Sequence, residues 1–255
     1  MKPTSKTVRP LKSPPARAAS TAAKGRINAP AEDSISKSPV AASDKRKTAA
    51  QATPGEYQST AEIPLETRSI ILHCAARLLR ENGYAAVSLR QIAQEAGIRA
   101  STIYYHFESK EDILFHVLEE GLRVIVHEVN RAVAAMPSGL SFQDRLTVVV
   151  RGHLHGLLRV GDFSSANIRI YGQVPEDVRL RHARARSAYG KWWSEFLREG
   201  VDEGAISPKL NLGVARVFIV GSLNWTVEWY DPKRGSFADF ADHVCSIVSS
   251  GLVHK

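Results

Sequence analysis

The sequence predicts an all-α protein with an N-terminal helix-turn-helix domain and a larger helical domain behind it. From about residue 64 onward, apolar residues recur at intervals of three and four, which is the spacing of amphipathic helices. No alternating pattern long enough for a convincing β-strand interrupts them. Residues 88–107 hold two short helical patterns on either side of Gly97, and two such helices across a tight turn form a helix-turn-helix.

The first 60 residues form a basic segment rich in Pro, Ala, Ser, Thr and Lys. They hold 11 Lys/Arg and 4 Asp/Glu, a net +7, whereas the other 195 residues hold 23 and 22, a net +1. Almost no large apolar residue precedes Tyr57, so the segment cannot offset the entropy of ordering and is predicted to be a disordered basic tail. Such a tail would strengthen non-specific phosphate binding, although a solubilising extension explains it equally well.

The first helices after the tail have recognisable ends. Glu66–Asn82 is the first helix, and Gly83 stops it because glycine readily takes the left-handed backbone of a helix end. Ser88 is placed to cap the second helix, and Gly97 is placed to turn the chain after it. The third helix turns its apolar residues inward, which leaves its polar side chains for the outside.

Six further helices follow, and each is amphipathic or apolar. The first of them is long enough to connect the helix-turn-helix to the rest of the chain. The fifth is apolar on nearly every side, as expected for a helix that is buried on two sides. The predicted helices cover Ser109–Ala135, Phe142–Val160, Ser165–Tyr171, Pro175–Arg198, Leu212–Tyr230 and 236–252.

Composition and motifs favour a non-enzymatic cytoplasmic protein. Cys74 and Cys245 are far apart and lack metal-site spacing, which argues for a reducing compartment and against a disulfide framework. Neither a secretory signal nor a membrane span is predicted. His153 and His155 lie two positions apart on a helix, so they cannot hold one metal ion together. Because no catalytic motif and no phosphate-binding glycine loop occurs, we expect no metal, no cofactor and no enzymatic activity.

Fixed residue types at fixed spacings run from Thr67 to Leu114. A helix with the sequence IILHCAARLLRENGYAAVSLRQIA leads into EAGI at the turn, TIYYHF in the third helix and SKEDIL at its exit. With this pattern the chain resembles the TetR family of bacterial transcriptional regulators. Arg99 departs from the family, many members of which begin the recognition helix with Ser. The matching positions are Ser88, Ile92, Ala93, Ala96, Gly97, Ile98, Tyr104, Phe107 and Lys110.

The resemblance implies a homodimeric, ligand-responsive DNA-binding regulator, with a repressor preferred over an activator. A helix-turn-helix at 64–110 would read double-stranded DNA, and the domain at 111–255 would bind the effector and dimerise. Because a two-fold dimer presents two recognition helices, its operator should be an inverted repeat. Carried over by position, the DNA-contacting residues are Arg90, Arg99, Ser101, Thr102, Tyr104, Tyr105, His106 and Lys110.

Five arginines between residues 169 and 186 favour an anionic effector. Arginine beside apolar helices suits a phosphate-bearing ligand with a buried chain, although a charge run on a helix is as often a solvated face. The run GSLNWTVEWYDPKRG resembles a helix of TetR-type regulators of fatty-acid and steroid breakdown, some of which sense acyl-CoA esters. An acyl-CoA is therefore the preferred effector. The candidate effector-binding residues are Arg169, Tyr171, Arg181, Arg184, Trp225 and Trp229.

Two other functions stay open on the sequence alone. An enzyme could use a cavity among the helices, but it would need a catalytic set that the sequence lacks. An architectural DNA-binding protein driven by the basic tail should bind all DNA sequences alike. A selection of binding sites from random DNA separates both from a sequence-specific regulator.

Overall fold

The computed structural model describes residues 65–253 together with the isolated Pro10, so that the predicted basic tail otherwise lies outside the described residues. Between 65 and 253 the chain is helical, with one isolated bridge between Ile206 and Val253 and no β-strand. This confirms the predicted all-α class. The helices are α1 (Leu65–Ala86), α2 (Leu89–Glu95), α3 (Ala100–His106), α4 (Lys110–Ala134), α5 (Phe142–Leu158), α6 (Asp162–Ile170), α7 (Glu176–Asp202), α8 (Leu212–Trp229) and α9 (Phe237–Leu252), with 3₁₀ turns at Tyr171–Gln173 and Pro232–Arg234.

Helix limits lie within a few residues of the predicted ones, and α1 differs most at its end. Gly83 has φ 76° and ψ 171°, so the regular helix stops there and a further short turn runs to Ala86. Farther along the chain, α6 begins at Asp162, three positions before the predicted start at Ser165. The chain enters α6 from Gly161, whose φ of 74° lies in the left-handed region.

Two clusters of buried apolar side chains hold the described helices together. The head cluster joins α1, α2 and α3 to the first half of α4, to α6 and to the start of α7. The body cluster joins the second half of α4 to α5, α7, α8 and α9. Representative members are Ile71, Ile103, Leu114 and Ile170 in the head cluster and Leu154, Trp193, Phe196 and Leu223 in the body cluster.

Buried polar contacts fasten α6 to its neighbours. The Asn167 Nδ2 donates to the Leu118 carbonyl oxygen of α4 at 2.8 Å, and the Ser164 hydroxyl donates to the Gly156 carbonyl oxygen of α5 at 2.6 Å. Both side chains are buried, so breaking either bond would leave a polar group without water. A displacement of α6 would therefore carry α4, and α4 leads directly to the helix-turn-helix.

Candidate nucleic-acid interface and ligand cavity

Reciprocal hydrogen bonds set the start of α2. The Ser88 hydroxyl oxygen accepts from the Gln91 backbone N–H at 3.3 Å, while Gln91 Oε1 accepts from the Ser88 backbone N–H at 2.8 Å. This capping box satisfies two donors that a helix start otherwise leaves unpaired. At the other end, Gly97 turns the chain with φ 66°, which glycine adopts without the steric cost that a Cβ would bring. The predicted cap and turn are both present.

The recognition helix α3 separates an apolar inner side from a polar outer side. Ile103 and Phe107 are buried in the head cluster. Tyr104 and Tyr105 are 63% and 69% exposed, and Ser101 is exposed beside them. Because these hydroxyl-bearing side chains share a helix surface with free access to solvent, they can bind phosphate oxygens or base edges.

Four further predicted contacts flank that surface in different ways. Arg90 on α2 and Arg99 at the start of α3 are exposed, and the Arg99 side chain does not cap the helix. Thr102 is partly buried. His106 differs from the others, because its Nε2 is buried without a hydrogen-bond partner. Burial, and secondarily the charge of Arg68, lower its pKa, so His106 is a neutral ring packed at the edge of the head.

Lys110 is held within the head by Tyr84. Its Nζ donates to the Tyr84 carbonyl oxygen at 2.6 Å and lies 3.9 Å from the centre of the Tyr84 ring. Burial lowers the pKa of Lys110, with Glu111 opposing that shift. The side chain is half-buried rather than extended into solvent. Its ammonium group therefore stabilises the head and is also accessible at the surface of the head.

Tyr84 also contacts Glu111 and Gln173. We call Tyr84, Lys110, Glu111 and Gln173 the Tyr84 junction. The Tyr84 hydroxyl donates to Glu111 Oε1 at 2.5 Å, and the Tyr84 backbone N–H donates to Gln173 Oε1 at 2.9 Å. Burial, followed by that carboxylate, raises the pKa of Tyr84 to about 12. Gln173 belongs to the 3₁₀ turn after α6, so the junction joins the end of α1 and the start of α4 to the effector side of the molecule. Sequence reasoning missed Tyr84, Glu111 and Gln173, since no motif marks an 89-residue separation.

The predicted effector residues do not converge on one pocket. Arg181 lies over the Phe115 ring at 4.1 Å and 3.6 Å from the Asp112 carboxylate, which ties α7 to the first turns of α4. Tyr171 is covered by the guanidinium of Arg186 at 3.7 Å. Arg184 is exposed on α7, away from the cavity described below. These four side chains thus serve the surface between α4 and α7 or face solvent.

Trp225 and Trp229 lie on an exposed apolar face rather than in an interior pocket. They are 65% and 53% exposed in the single chain. Other large apolar side chains of α8 and α9 are exposed as well, and a surface of this kind marks an interaction site. We call this surface the apolar face, and its members are Val214, Val217, Phe218, Trp225, Trp229 and Ile247.

Arg169 is the predicted effector residue that lines a cavity. The cavity has a volume of about 260 Å³ and lies where α1, α5, α6 and α8 meet. Arg169 Nε donates to Glu228 Oε1 and its Nη2 donates to the Val227 carbonyl oxygen, each at 3.1 Å. Arg80 of α1, which sequence reasoning missed, pairs with Asp162 at 2.6 Å. The lining consists of Arg80, Glu81, Leu157, Leu158, Gly161, Ser165, Arg169, Val227 and Tyr230.

Neither a metal site nor a membrane-spanning helix occurs between residues 65 and 253. No group of three or more His, Cys, Asp and Glu side chains between 65 and 253 is arranged to hold a metal ion. In that range, too, no helix combines the length and the apolar character needed to cross a membrane. The two cysteines are free thiols in the described chain.

A head with a capped helix-turn-helix, joined to a helical body with a cavity and an apolar face, defines a ligand-responsive DNA-binding regulator. Residues 71–117 match the family described as "Bacterial regulatory proteins, tetR family", and residues 139–252 match "Tetracyclin repressor-like, C-terminal domain". The chain belongs to the TetR family, as its sequence predicted, and is a transcriptional regulator. TetR regulators are dimers.

Several proteins of known name are similar to this chain over most of their length. A fatty acid metabolism regulator protein of Bacillus subtilis is 24% identical, covering 72% of this chain and 95% of that protein. The HTH-type transcriptional repressor KstR2 of Mycolicibacterium smegmatis is 27% identical, covering 77% and 95%. The structure of AibR in complex with isovaleryl coenzyme A and operator DNA superposes with a TM-score of 0.63 at 20% identity, covering 73% and 97%.

Proposed function

We propose that this regulator is a repressor that binds an inverted-repeat operator and is released from it by an acyl-CoA ester. One observation carries the proposal: α1 belongs to the DNA-binding head and, through Arg80, also lines the cavity between the effector helices. A ligand that fills this cavity therefore touches the head directly. The repressor named KstR2 and the AibR complex with a coenzyme A ester support the direction of the response and the class of the effector.

For DNA, we assign base and phosphate contacts to the outer side of α3 and the residues beside it. Tyr104 and Tyr105 are the principal contacts because their exposed hydroxyls lie on the recognition helix. Arg90 and Arg99 can each bind a guanine edge with both arms of the guanidinium. Ser101, Thr102, His106 and Lys110 complete the surface as phosphate contacts or, for the last two, as supports for the head.

For the effector, we assign the cavity and its two arginines. Leu157 and Val227 give the cavity an apolar lining, while Arg80 and Arg169 bring positive charge to the same lining. An anionic head with an apolar chain matches this combination. Because both guanidinium groups are paired with carboxylates, an anionic ligand has to exchange with Asp162 and Glu228. That exchange would loosen α1 from α6 and α6 from α8.

The release follows from a shift between two arrangements of the heads. DNA favours the spacing that places both recognition helices in successive major grooves, and the effector favours another. Within each protomer, effector binding can reach the DNA-binding head by two routes. One runs from Arg80 along α1, and the other runs from α6 through Gln173 to Tyr84. Arg181 belongs to the neighbouring contact between α7 and α4, and Tyr171 belongs to the contact between α7 and the 3₁₀ turn after α6. Arg184 faces solvent, and Trp225 and Trp229 belong to the dimer. We infer that the protein works in the cytoplasm without a cofactor and without catalysis.

Selection of binding sites from random DNA, followed by release with a panel of acyl-CoA esters, tests the proposal. We expect the selection to return one inverted repeat, and we expect acyl-CoA esters to release it while free coenzyme A acts weakly. Arg169→Ala should need more ester for half-release, whereas Arg184→Ala, outside the cavity, is the matched control. Binding without sequence preference would reject the regulator, and a fixed operator that no ester releases would reject the effector class alone.

A further inference from the structure

Four polar side chains lie within or at the edge of the body cluster, among its apolar side chains. His153 of α5 is 1% exposed, Tyr189 of α7 is 5% exposed and Trp193 of α7 is fully buried. Asn224 of α8 reaches them from the partly buried side of its helix. We call His153, Tyr189, Trp193 and Asn224 the inner polar cluster. Buried polar groups weaken an apolar core unless each finds a hydrogen-bond partner, so such a group has to be explained.

Hydrogen bonds fix the histidine in one neutral form. Its Nε2 is 3.1 Å from Asn224 Oδ1, an acceptor, so this nitrogen carries the proton. Its Nδ1 then accepts from the Tyr189 hydroxyl at 2.8 Å. Burial lowers the pKa of His153 to about 4, and the bond to Asn224 opposes that shift only in part. The imidazole is therefore uncharged at neutral pH, and the cluster contains no positive charge.

The cluster holds more donors than it uses. The indole Nε1–H of Trp193 is fully buried and forms no hydrogen bond of normal geometry in the described chain, although it lies close enough to the Tyr189 hydroxyl to oppose the rise in the pKa of that group. The Asn224 carboxamide carries two N–H donors besides the oxygen that binds His153. Burial raises the pKa of Tyr189, so its phenol stays protonated. A buried donor without a well-formed bond, beside a carboxamide that can offer two further N–H groups, is an arrangement that an incoming uncharged acceptor would satisfy.

The inner polar cluster lies one helical turn from the cavity on two helices. Leu157, which lines the cavity, follows His153 by four positions on α5. Val227, which also lines it, follows Asn224 by three positions on α8. Residues at these separations are neighbours on one helix face, about 5–6 Å apart. A ligand that enters the cavity along α5 and α8 therefore meets the cluster next.

We propose that the inner polar cluster binds the thioester carbonyl oxygen of the effector, with the indole N–H of Trp193 and the carboxamide of Asn224 as donors. This inference rests on the proposed acyl-CoA response. A carbonyl suits the cluster better than a carboxylate, since a buried anion would lack a counter-charge there. The acyl chain would lie among the rings of the body cluster, and the side chains it displaces on α7 and α8 adjoin the apolar face.

A pair of ligands that differ only in the carbonyl oxygen tests the inference. Decanoyl-CoA is a thioester, and S-decyl-CoA is the corresponding thioether without that oxygen. We expect calorimetry on the full chain to show about tenfold tighter binding of the thioester, the effect of one buried hydrogen bond. Trp193→Phe should reduce this preference to about twofold. Trp192→Phe, a neighbouring buried ring in the same helix, is the matched control and should retain the preference.

Stability separates a binding role of Trp193 from a structural one. Because its N–H is unsatisfied in the free protein, Trp193→Phe removes an unpaired donor and should leave the thermal midpoint unchanged or raise it. Weaker binding of the thioester together with an undiminished midpoint is the expected result. Asn224→Leu provides a second variant at a partly buried position, with the same loss of preference expected.

Three outcomes overturn the inference, and they differ from a failure of the proposed function. Equal binding of thioester and thioether by the unchanged protein means that no group reads the carbonyl. A preference that survives in both Trp193→Phe and Asn224→Leu means that another site reads it. If other esters release the operator but neither decyl probe binds, the assignment is wrong while the regulator stands. Absence of sequence-specific DNA binding would instead reject the proposed function.

Discussion

The head of this regulator carries polar side chains on the outside of its apolar core, whereas the body encloses polar side chains within its apolar core. In the head, Ile103 and Phe107 fill the interior while Tyr104 and Tyr105 point to solvent. In the body, α8 and α9 expose large apolar side chains, and the polar group around His153 is enclosed. A surface that binds a polyanion needs exposed polar groups, whereas a site that senses an apolar chain needs enclosed ones.

The difference shows which region tolerates change. Outer residues of α3 can be replaced without disturbing the head, since they contribute little to its packing. The inner polar cluster has no such freedom, because each of its members is packed among rings of three helices. Variants on the outer side of α3 should therefore alter DNA binding and leave stability alone, whereas removing the hydrogen-bonded ring of His153 from the body should alter stability.

Among the variants that distinguish the body from the head, those that split the dimer should have the largest effect. Phe218→Asp or Ile247→Asp places a charge on the apolar face, where each native side chain is more than 70% exposed in the single chain, at 73% and 74%. We expect monomers with folded heads and a loss of operator affinity of about 100-fold or more, because the second head no longer assists the first. Light scattering and mobility shift measure the two effects.

Leu180→Asp is the control for this prediction, since Leu180 is 69% exposed on α7 and lies off the apolar face. Val244 and Val248 of α9 are less suitable for this test, because both are partly buried against the body cluster and a charge there would also damage the protomer. A dimer that persists in both Phe218→Asp and Ile247→Asp would place the interface elsewhere.

Tyr105 and Lys110 separate DNA contact from support of the head. Tyr105→Ala should weaken operator binding by about 1–3 kcal/mol without changing the thermal midpoint, since the side chain is exposed. Lys110→Ala should weaken binding and also lower the free energy of unfolding by about 1 kcal/mol, because Tyr84 loses its partner. Lys191→Ala, an exposed lysine of α7, controls for loss of charge. An unchanged midpoint in Lys110→Ala would remove its supporting role.

The sequence predicts the local features of the head better than it predicts the contacts between separate helices. The cap at Ser88, the turn at Gly97 and the inward side of α3 depend on neighbours within a few positions, so a local pattern contains them. The Tyr84 junction and the inner polar cluster join residues from separate helices, and only the packed chain brings them together.

The arginine cluster illustrates the limit. Positions 169, 181, 184 and 186 are close in sequence, but a 3₁₀ turn and the helical period direct them to different neighbours: Arg169 to Glu228, Arg181 to Phe115 and Arg186 to Tyr171. Charge density along the chain therefore indicated an anion site without locating it. Arg80, which does line the cavity, comes from a helix that the sequence assigned to the DNA-binding domain alone.

Acid should destabilise the body through His153 while leaving the head's outer surface unaffected. The folded pKa of His153, about 4, lies below its ordinary value of 6.5, so the unfolded chain binds the proton more readily. Stability is therefore full above pH 6.5 and is lost as the pH falls towards 4. At pH 5 the loss relative to pH 7 is about 2 kcal/mol from this group.

Chemical denaturation of the unchanged protein and of His153→Gln at both pH values measures this contribution. Glutamine keeps a donor and an acceptor but does not titrate, so the variant should lose less stability between pH 7 and pH 5 by about 2 kcal/mol. Other histidines, such as His116, whose pKa burial also lowers, cancel in the difference between the two proteins. Identical losses would mean that folding does not lower the pKa of His153.

The smallest expected effect lies at the contact that joins the two regions. Gln173→Ala removes the acceptor of the Tyr84 backbone N–H, which should cost about 0.5–1.5 kcal/mol locally and leave operator binding nearly unchanged. Hydrogen exchange of the Tyr84 amide should become roughly tenfold faster, since that bond no longer closes the turn. Gln173→Glu retains an acceptor oxygen and should restore slow exchange, while Gln143→Ala on the exposed side of α5 should change nothing. If the Tyr84 amide stays protected in Gln173→Ala, the head and the body communicate through α4 and Arg80 without this bond.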